Sequence, residues 1–231
     1  MAKHLLTPGK HHLARVILGT SIALTGGVLA GPAALADTPG HTPFGPSHTE
    51  TSRAAMTPLQ LEAERLPKVS AQQVLDIAAQ QIGVSENSRG GGTKFQSWYM
   101  SSPRAQETVA RDGGALQAYA NAPWCAMFVS WVGEKAGIRP TMGWDAYTVT
   151  HAKWFKTNNH WGTTPKPGAV VYFDWAGGKD ISGIDHVGFV KKDNGNGTIT
   201  TIEGNTGNGR VEERIRPISQ VVGYGYPVYS D

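Results

Sequence analysis

Only one cysteine, Cys125, occurs among the 231 residues of this chain. A disulfide within the chain needs two thiols, so a hydrophobic core has to hold the fold together unaided. Exported proteins that keep cysteines usually pair them, and the N-terminus of this chain has the features of an export signal. The lone thiol is therefore either a buried, inert side chain or a group kept for its reactivity.

The predicted export signal occupies residues 1–36. It contains three basic residues and no acidic one, and its apolar stretch ends on Ala34-Leu35-Ala36, a small-x-small cleavage pattern. We expect cleavage after Ala36 and a secreted, extracellular protein. The alternative is an uncleaved membrane anchor, because residues 16–36 are nominally long enough to span a bilayer, although glycines and a proline interrupt them.

Without this signal the chain has no net charge. Residues 1–36 hold three of the 21 Lys and Arg residues and none of the 18 Asp and Glu residues, so the remainder carries 18 of each. A neutral protein has no overall electrostatic attraction to nucleic acid or to an anionic membrane. We therefore expect no nucleic-acid partner and no stable membrane insertion after cleavage. We also expect a monomer.

The rest of the chain divides into a spacer and one folded domain. Residues 37–67 are rich in Pro, Thr, Ser and Gly and poor in large apolar residues, which predicts a flexible spacer with a short helix over 59–64. Residues 68–231 are long enough for a domain with a sizeable core. A capping box of Ser70 and Gln73 predicts the first helix of this domain.

Strands dominate the second half of the domain. β-Branched and aromatic residues predict strands over 168–175, 186–192, 198–206, 211–216 and 221–228. Residues 193–197 predict a hairpin turn rather than a calcium loop, because the closing glutamate of such a loop is missing. A helix from about Pro123 to Gly137 and an irregular aromatic stretch over 144–161 come before the strands. This order predicts an α+β domain, with N-terminal helices packed on an antiparallel sheet.

Cys125 stands at the start of the second predicted helix. The residues that follow are apolar on nearly every side, as in a buried central helix. Backbone N–H groups in the first turn of a helix are unpaired. They favour a thiolate, and they can stabilise the oxyanion that forms when a thiolate attacks an amide carbonyl. This placement indicates a nucleophile, and the competing interpretation is a small buried hydrophobe.

A cysteine nucleophile needs a base, and His186 is the best placed histidine of the domain. It opens a predicted strand, whereas Asp185 before it should point to the opposite face of the sheet. Glu203 and Asn205 lie at the end of the next strand, and they share a face if that strand continues through Gly204. A carboxylate or an amide there can hold the imidazole in the required tautomer. Taken singly, each of these residues also has a purely structural interpretation.

The remaining histidines and the tryptophans carry weaker signals. His151 and His160 lie in the irregular stretch without the spacing of a zinc site, so we expect no metal and no cofactor. Trp98, Trp124 and Trp175 are candidates for lining a substrate groove, and packing in the core is the alternative for each of them.

Five blocks of the sequence, in order, resemble the CHAP family, the cysteine, histidine-dependent amidohydrolases and peptidases of bacterial cell walls. The blocks are residues 92–99, 122–131, 167–175, 185–190 and 202–206. The resemblance covers about residues 69–229. The second block contains Trp124-Cys125, and the fourth contains Asp185-His186.

This resemblance implies a papain-like fold, a set of site residues and a substrate. It implies Cys125 as nucleophile, His186 as general base, Glu203 as the third residue and Asn205 as a supporting fourth. It also implies peptidoglycan as the partner and hydrolysis of an amide bond, either between sugar and stem peptide or within the peptide or cross-bridge. The Asp-rich calcium segment that some members carry before the cysteine has no counterpart here.

Two other functions are compatible with the same residues. One is a non-catalytic wall-binding protein that keeps the fold. The other is an acyltransferase that passes the acyl group to an amine instead of water.

Overall fold

The computed structural model describes residues 56–230. The predicted signal peptide with its cleavage site and residues 37–55 of the predicted spacer lie outside the described residues. Within residues 56–230 the α-helices are α1 (Pro58–Ala63), α2 (Ala71–Ala79), α3 (Lys94–Met100), α4 (Pro103–Asp112), α5 (Cys125–Lys135), α6 (Arg139–Met142) and α7 (Thr148–Thr157). None of these helices is both long and apolar enough to cross a membrane.

The strands of the described region form one antiparallel sheet. They are β1 (Trp161–Gly162), β2 (Val170–Phe173), β3 (His186–Asp193), β4 (Thr198–Thr206), β5 (Arg210–Pro217) and β6 (Val221–Gly225). Their order across the sheet is β1-β6-β2-β3-β4-β5, and every neighbouring pair is antiparallel. The α+β class, with helices on an antiparallel sheet, is confirmed.

Three helices begin with the same kind of cap. Thr57, Ser70 and Thr93 each accept a hydrogen bond from the N–H group three residues ahead, where a glutamine side chain bonds back to the cap. Such a reciprocal pair satisfies two N–H groups that the first turn leaves without a helical partner. The capping box predicted at Ser70 is therefore confirmed.

The prediction of an irregular stretch over 144–161 is wrong, because α7 occupies ten residues of it. Aromatic and β-branched residues, which are frequent in α7, have modest helix propensity, so the local sequence gives a weak helix signal. The helix instead buries His151, Ala152 and Phe155. Tertiary packing of such a buried face supplies most of the stability of a short helix.

The central helix α5 lies against the middle of the sheet. Its first nine residues are all buried, and Phe128 meets Phe189 of β3 edge to face, with 6.1 Å between ring centroids. Gly204 of β4 allows a close approach, since a Cβ there would lie 2.6 Å from Phe128 Cβ and 2.8 Å from Trp124 Cζ3. The start of α5 can therefore rest directly on the end of β4.

The last part of the predicted spacer packs onto the domain. Leu59 of α1 is buried, α1 contacts α6, and Thr57 Oγ1 lies 3.0 Å from His160 Nε2. These residues form part of the fold, while a flexible spacer over 37–55 stays a prediction.

Candidate active site

Cys125 is the first residue of α5. Trp124 is the N-cap of this helix, and no side chain caps the helix end. No capping side chain therefore accepts a hydrogen bond from the first N–H groups of α5. Cys125 is 5% exposed and is one of the residues that line a surface cavity.

His186 opens β3 and faces Glu203 on the neighbouring strand β4. Its Nε2 atom lies 3.0 Å from Glu203 Oε2, and both side chains are buried. Gly188 makes room for this pair, since a Cβ there would lie 2.7 Å from Glu203 Cγ. The side chain of Cys125 is also close enough to His186 to raise the pKa of the imidazole. Because Nε2 is engaged with Glu203, Nδ1 is the nitrogen left for the sulfur.

The Glu203 carboxylate is fully buried and saturated with donors. Oε1 accepts from Thr201 Oγ1 at 2.6 Å and from Arg216 Nε at 2.9 Å, and Oε2 accepts from Arg216 Nη2 at 2.6 Å. Burial alone would raise the pKa of Glu203, but the hydrogen bonds from Arg216 and His186 outweigh burial and lower that pKa to about 2. Glu203 is therefore a carboxylate at neutral pH.

Polar contacts also outweigh burial at His186, where they raise the pKa instead of lowering it. Burial favours the neutral imidazole, yet the contacts with Cys125 and Glu203 prevail and raise the pKa of His186 to about 9. At neutral pH the ring is thus an imidazolium held between a carboxylate and a sulfur atom. A proton on this ring can be passed to a leaving group, which is the task of a general acid.

As expected from the sequence, Asp185 points away from His186 and does not orient it. Its side chain is exposed, and its Oδ2 atom accepts the backbone N–H of Trp175 at 3.0 Å. Adjacent strand residues point to opposite faces, so Asp185 turns away from the carboxylate that holds the imidazole.

The expectation that Asn205 lies with Glu203 on one face of the strand is wrong. The register of β4 and β5 shifts between Glu203 and Thr206, and Asn205 has φ = 55°, so the two-residue alternation breaks. With its amide nitrogen toward Glu86 Oε1 at 3.2 Å, its oxygen accepts the Trp124 N–H at 3.1 Å. Asn205 thus fixes the residue before Cys125 instead of the imidazole.

The three candidate tryptophans have different surroundings. Trp124 is fully buried, stacks on Phe95 at 5.2 Å between centroids, and donates its indole N–H to Glu86 Oε1 at 2.8 Å. Its prediction as a groove residue is wrong, because the core alternative applies. Trp98 is half-buried and packs edge to face on Tyr99. Trp175 is 40% exposed, and its ring lies 5.3 Å from that of His186.

A small cavity of about 160 Å³ opens beside the sulfur atom. Its lining includes Cys125, Tyr119, Pro123, Met127, Tyr147 and Asp185. The walls are mainly apolar and aromatic, with one exposed carboxylate. This volume is below the usual range for a whole drug-sized ligand, so it suits one residue of a longer chain that lies across the surface.

His151 and His160 are structural in this fold. His151 is buried between the carbonyl of Met142, 2.8 Å from Nε2, and the hydroxyl of Tyr172, 3.0 Å from Nδ1, and its burial lowers its pKa. His160 binds Thr57 and the carbonyl of Tyr226. Across residues 56–230, no group of three or more His, Cys, Asp or Glu side chains is placed to hold a metal ion.

Sequence reasoning missed Arg216, Thr201 and Glu86. Arg216 and Thr201 both bind Glu203, and Glu86 binds Trp124. Charged and hydroxyl residues at alternate positions of a strand are typical of an exposed sheet face, so nothing local distinguishes them. Their contacts join residues that are up to 38 positions apart.

Comparison with known families gives one match. Residues 117–205 match the family model described as CHAP domain, and this span contains Cys125, His186, Glu203 and Asn205. The match ends before Arg216. No curated protein and no solved structure matches the chain.

Proposed function

This chain carries a CHAP domain over residues 117–205, and from that premise we propose that it is a secreted, cysteine-dependent peptidoglycan hydrolase that cleaves amide bonds. The CHAP family consists in general of amidohydrolases and peptidases. One observation carries the proposal for this chain. The Cys125 side chain, at the start of a helix, interacts with the His186 imidazole, whose Nε2 atom lies 3.0 Å from Glu203 Oε2.

In the proposed reaction Cys125 is the nucleophile. The thiolate attacks the amide carbonyl carbon, and the negative charge passes to the carbonyl oxygen, where N–H groups at the start of α5 can stabilise it. The tetrahedral intermediate then collapses, the C–N bond breaks, and the His186 imidazolium gives its proton to the departing amine.

The second half of the reaction restores the enzyme. The neutral His186 takes a proton from water, the hydroxide attacks the thioester, and the thiolate leaves as the carboxylic acid product forms. Glu203 stays ionised throughout and holds the imidazole ring. We assign Asn205 to the support of Trp124 and the helix start, because that is where its amide binds.

The substrate of this reaction is a peptide chain of the cell wall. An exposed Trp175 next to His186 and the cavity beside Cys125 give a surface on which an extended peptide can lie with its carbonyl at the sulfur. The cleaved bond is either the amide between muramic acid and the first alanine of the stem, or a bond within the stem or cross-bridge. A new alanine N-terminus in the digest marks the first case, and a new end inside the peptide marks the second.

The decisive experiment compares the parent with Cys125→Ala on purified cell walls. Release of soluble fragments should fall by about 10⁴-fold or more, because the covalent step loses its nucleophile. Binding of the variant to walls, measured by co-sedimentation, should stay within about twofold, since the substitution removes one sulfur atom from a side chain that is only 5% exposed.

A chemical control uses the lone thiol itself. Iodoacetamide should abolish fragment release from the parent and attach one carbamidomethyl group, because Cys125 is the only cysteine. Equal fragment release by the parent and Cys125→Ala would refute the proposed hydrolase and leave a wall-binding protein. Products that carry an added amine, formed when a competing amine is present, would instead identify an acyltransferase.

A further inference from the structure

Arg216 of β5 forms a bidentate contact with the buried carboxylate of Glu203. Its Nε atom lies 2.9 Å from Glu203 Oε1, and its Nη2 atom lies 2.6 Å from Glu203 Oε2. Nη2 also donates to Thr206 Oγ1 at 2.9 Å. Paired N–H groups facing both oxygens fix a carboxylate in direction as well as in charge. Glu203 therefore has little freedom to turn away from His186.

The same guanidinium supports His186 along a second path. It lies over the ring of Trp175, 4.8 Å from the ring centroid, and that ring lies 5.3 Å from the imidazole at an angle of 31°. Trp175 is also stacked on Phe173 at 5.1 Å. Arg216 thus contacts both groups that hold the imidazole, the carboxylate at Nε2 and the indole next to the ring.

We propose that Arg216 is a positioning residue that holds His186 through Glu203 and Trp175 and supplies the positive charge that keeps the buried Glu203 carboxylate ionised. This inference rests on the proposed function and adds a fourth charged residue to the site. Arg216 lies outside the span of the family match, so the match itself does not assign it.

The burial of Glu203 explains why a cation is needed there. Its carboxylate is fully buried and ionised. A buried charge is costly unless it is paired. The guanidinium of Arg216 pairs with it and is only 21% exposed, so solvent screens the pair weakly. Without Arg216, the Glu203 carboxylate has to bind a proton at higher pH.

Charged and titratable groups reach this site from several elements. They are Cys125 on α5, Asp185 before β3, Glu203 on β4, and Glu212 and Arg216 on β5. Asp185 and Glu212 add negative charge, which leaves Arg216 as the permanent cation that binds Glu203 directly.

The test measures how fast iodoacetamide alkylates Cys125 between pH 4 and 10 in the parent, Arg216→Gln and Arg216→Lys. In Arg216→Gln the acidic limb of the rate profile should move up by about one pH unit or more, because the buried Glu203 loses the cation 2.6 Å away, binds a proton at higher pH and then holds the His186 imidazolium less well. Arg216→Lys keeps the charge, so its acidic limb should stay near that of the parent. Its rate of wall digestion should still fall by about tenfold, because an ammonium cannot form the paired contact.

The matched control is Arg214→Gln, two residues earlier on the same strand, where the side chain pairs with Glu212. It should shift the profile much less than Arg216→Gln does, because the Arg214 guanidinium pairs with Glu212 and not with Glu203. Superposition of the Arg216→Gln profile on that of the parent would overturn the proposal. If Arg216→Gln fails to fold, as judged by circular dichroism, wall digestion by Arg216→Lys within twofold of the parent would overturn it as well.

Failure of this inference and failure of the proposed function are distinguishable. The alkylation profile needs no peptidoglycan, so it reports on the charged residues even in a protein that does not cleave walls. Loss of hydrolase activity on Cys125→Ala with an unshifted Arg216→Gln profile would leave the proposed function intact and refute only the role of Arg216.

Discussion

At the scale of single residues, two nearby residues of β4 support different parts of the site. Glu203 binds the imidazole of His186, whereas Asn205 binds the backbone of Trp124 just before the cysteine. The sequence predicted both residues near His186 but not which group each of them binds, because the alternation of side chains along the strand breaks at Asn205. Their catalytic roles stay predictions that the following experiments test.

The first of these experiments follows activity with pH. The pKa of His186 is raised from 6.5 to about 9, so the imidazolium is present at neutral pH and is lost as the pH rises through about 9. We expect kcat/KM for wall fragments to fall about tenfold per pH unit well above that value, because the leaving amine then receives no proton. Assays between pH 7 and 10.5 on the folded enzyme check this. A profile that stays flat to pH 10.5 would contradict the assigned role of His186.

A second experiment separates the backbone and side-chain contributions of Asn205. Asn205→Gly keeps a residue that tolerates φ = 55° but removes the amide, whereas Asn205→Ala removes the amide and also strains the backbone. Both variants should lose activity by about tenfold or more. The alanine variant should lose about 1 kcal/mol more than the glycine variant in the free energy of unfolding by urea, because only alanine strains the backbone. Parental activity of Asn205→Gly would show that the bond to Trp124 is not needed.

At the scale of helices and strands, the site depends on the contact between α5 and β4. The sequence predicted α5 and the strands β2 to β6 because their apolar patterns and turn residues are local signals. It missed α3, α4, α6 and β1 and treated α7 as irregular. α6 and β1 have only four and two residues, and α7 gains its stability from its buried face, whereas α3 does have a local signal in its capping box at Thr93.

The contact between α5 and β4 can be tested at Gly204. Gly204→Ala should lower the free energy of unfolding by about 1–3 kcal/mol, because its Cβ would overlap Phe128 and Trp124 in a filled core. It should also reduce activity, since the shift moves the start of α5 away from His186. The control is Gly195→Ala in the hairpin turn, where a Cβ meets no atom within 4 Å and only backbone strain is added. Equal unfolding midpoints for Gly204→Ala and the parent would contradict the close contact.

At the scale of the whole molecule, a chain without disulfides is held by its core on both faces of the sheet. One buried cluster joins the helices to the sheet, and a second cluster includes Val171, Val190 and Tyr224. The buried ionised groups of the site make this stability depend on pH, because they bind protons differently in the folded and unfolded states.

The expected pH dependence of unfolding has two limbs. The pKa of Glu203 falls from 4.5 to about 2 on folding, so its stabilisation is complete above about pH 4.5 and disappears as the pH falls through about 2. The pKa of His186 rises from 6.5 to about 9, so its stabilisation is complete below about pH 6.5 and disappears as the pH rises through about 9. The free energy of unfolding by urea should therefore be highest between about pH 4.5 and 6.5. His186→Gln should flatten the alkaline limb, and an unchanged limb in that variant would contradict the assignment.

The sequence by itself determined the α+β class, a helix that begins within about two residues of Cys125 and a strand that begins at His186, because caps, apolar patterns and turns act over a few residues. Tertiary structure alone decided which partner holds the imidazole, that Trp124 belongs to the core, and that Arg216 joins the site. Those outcomes depend on a register shift between β4 and β5 and on contacts across neighbouring strands. Residues 13 to 17 positions apart meet there, and no local pattern encodes such a meeting.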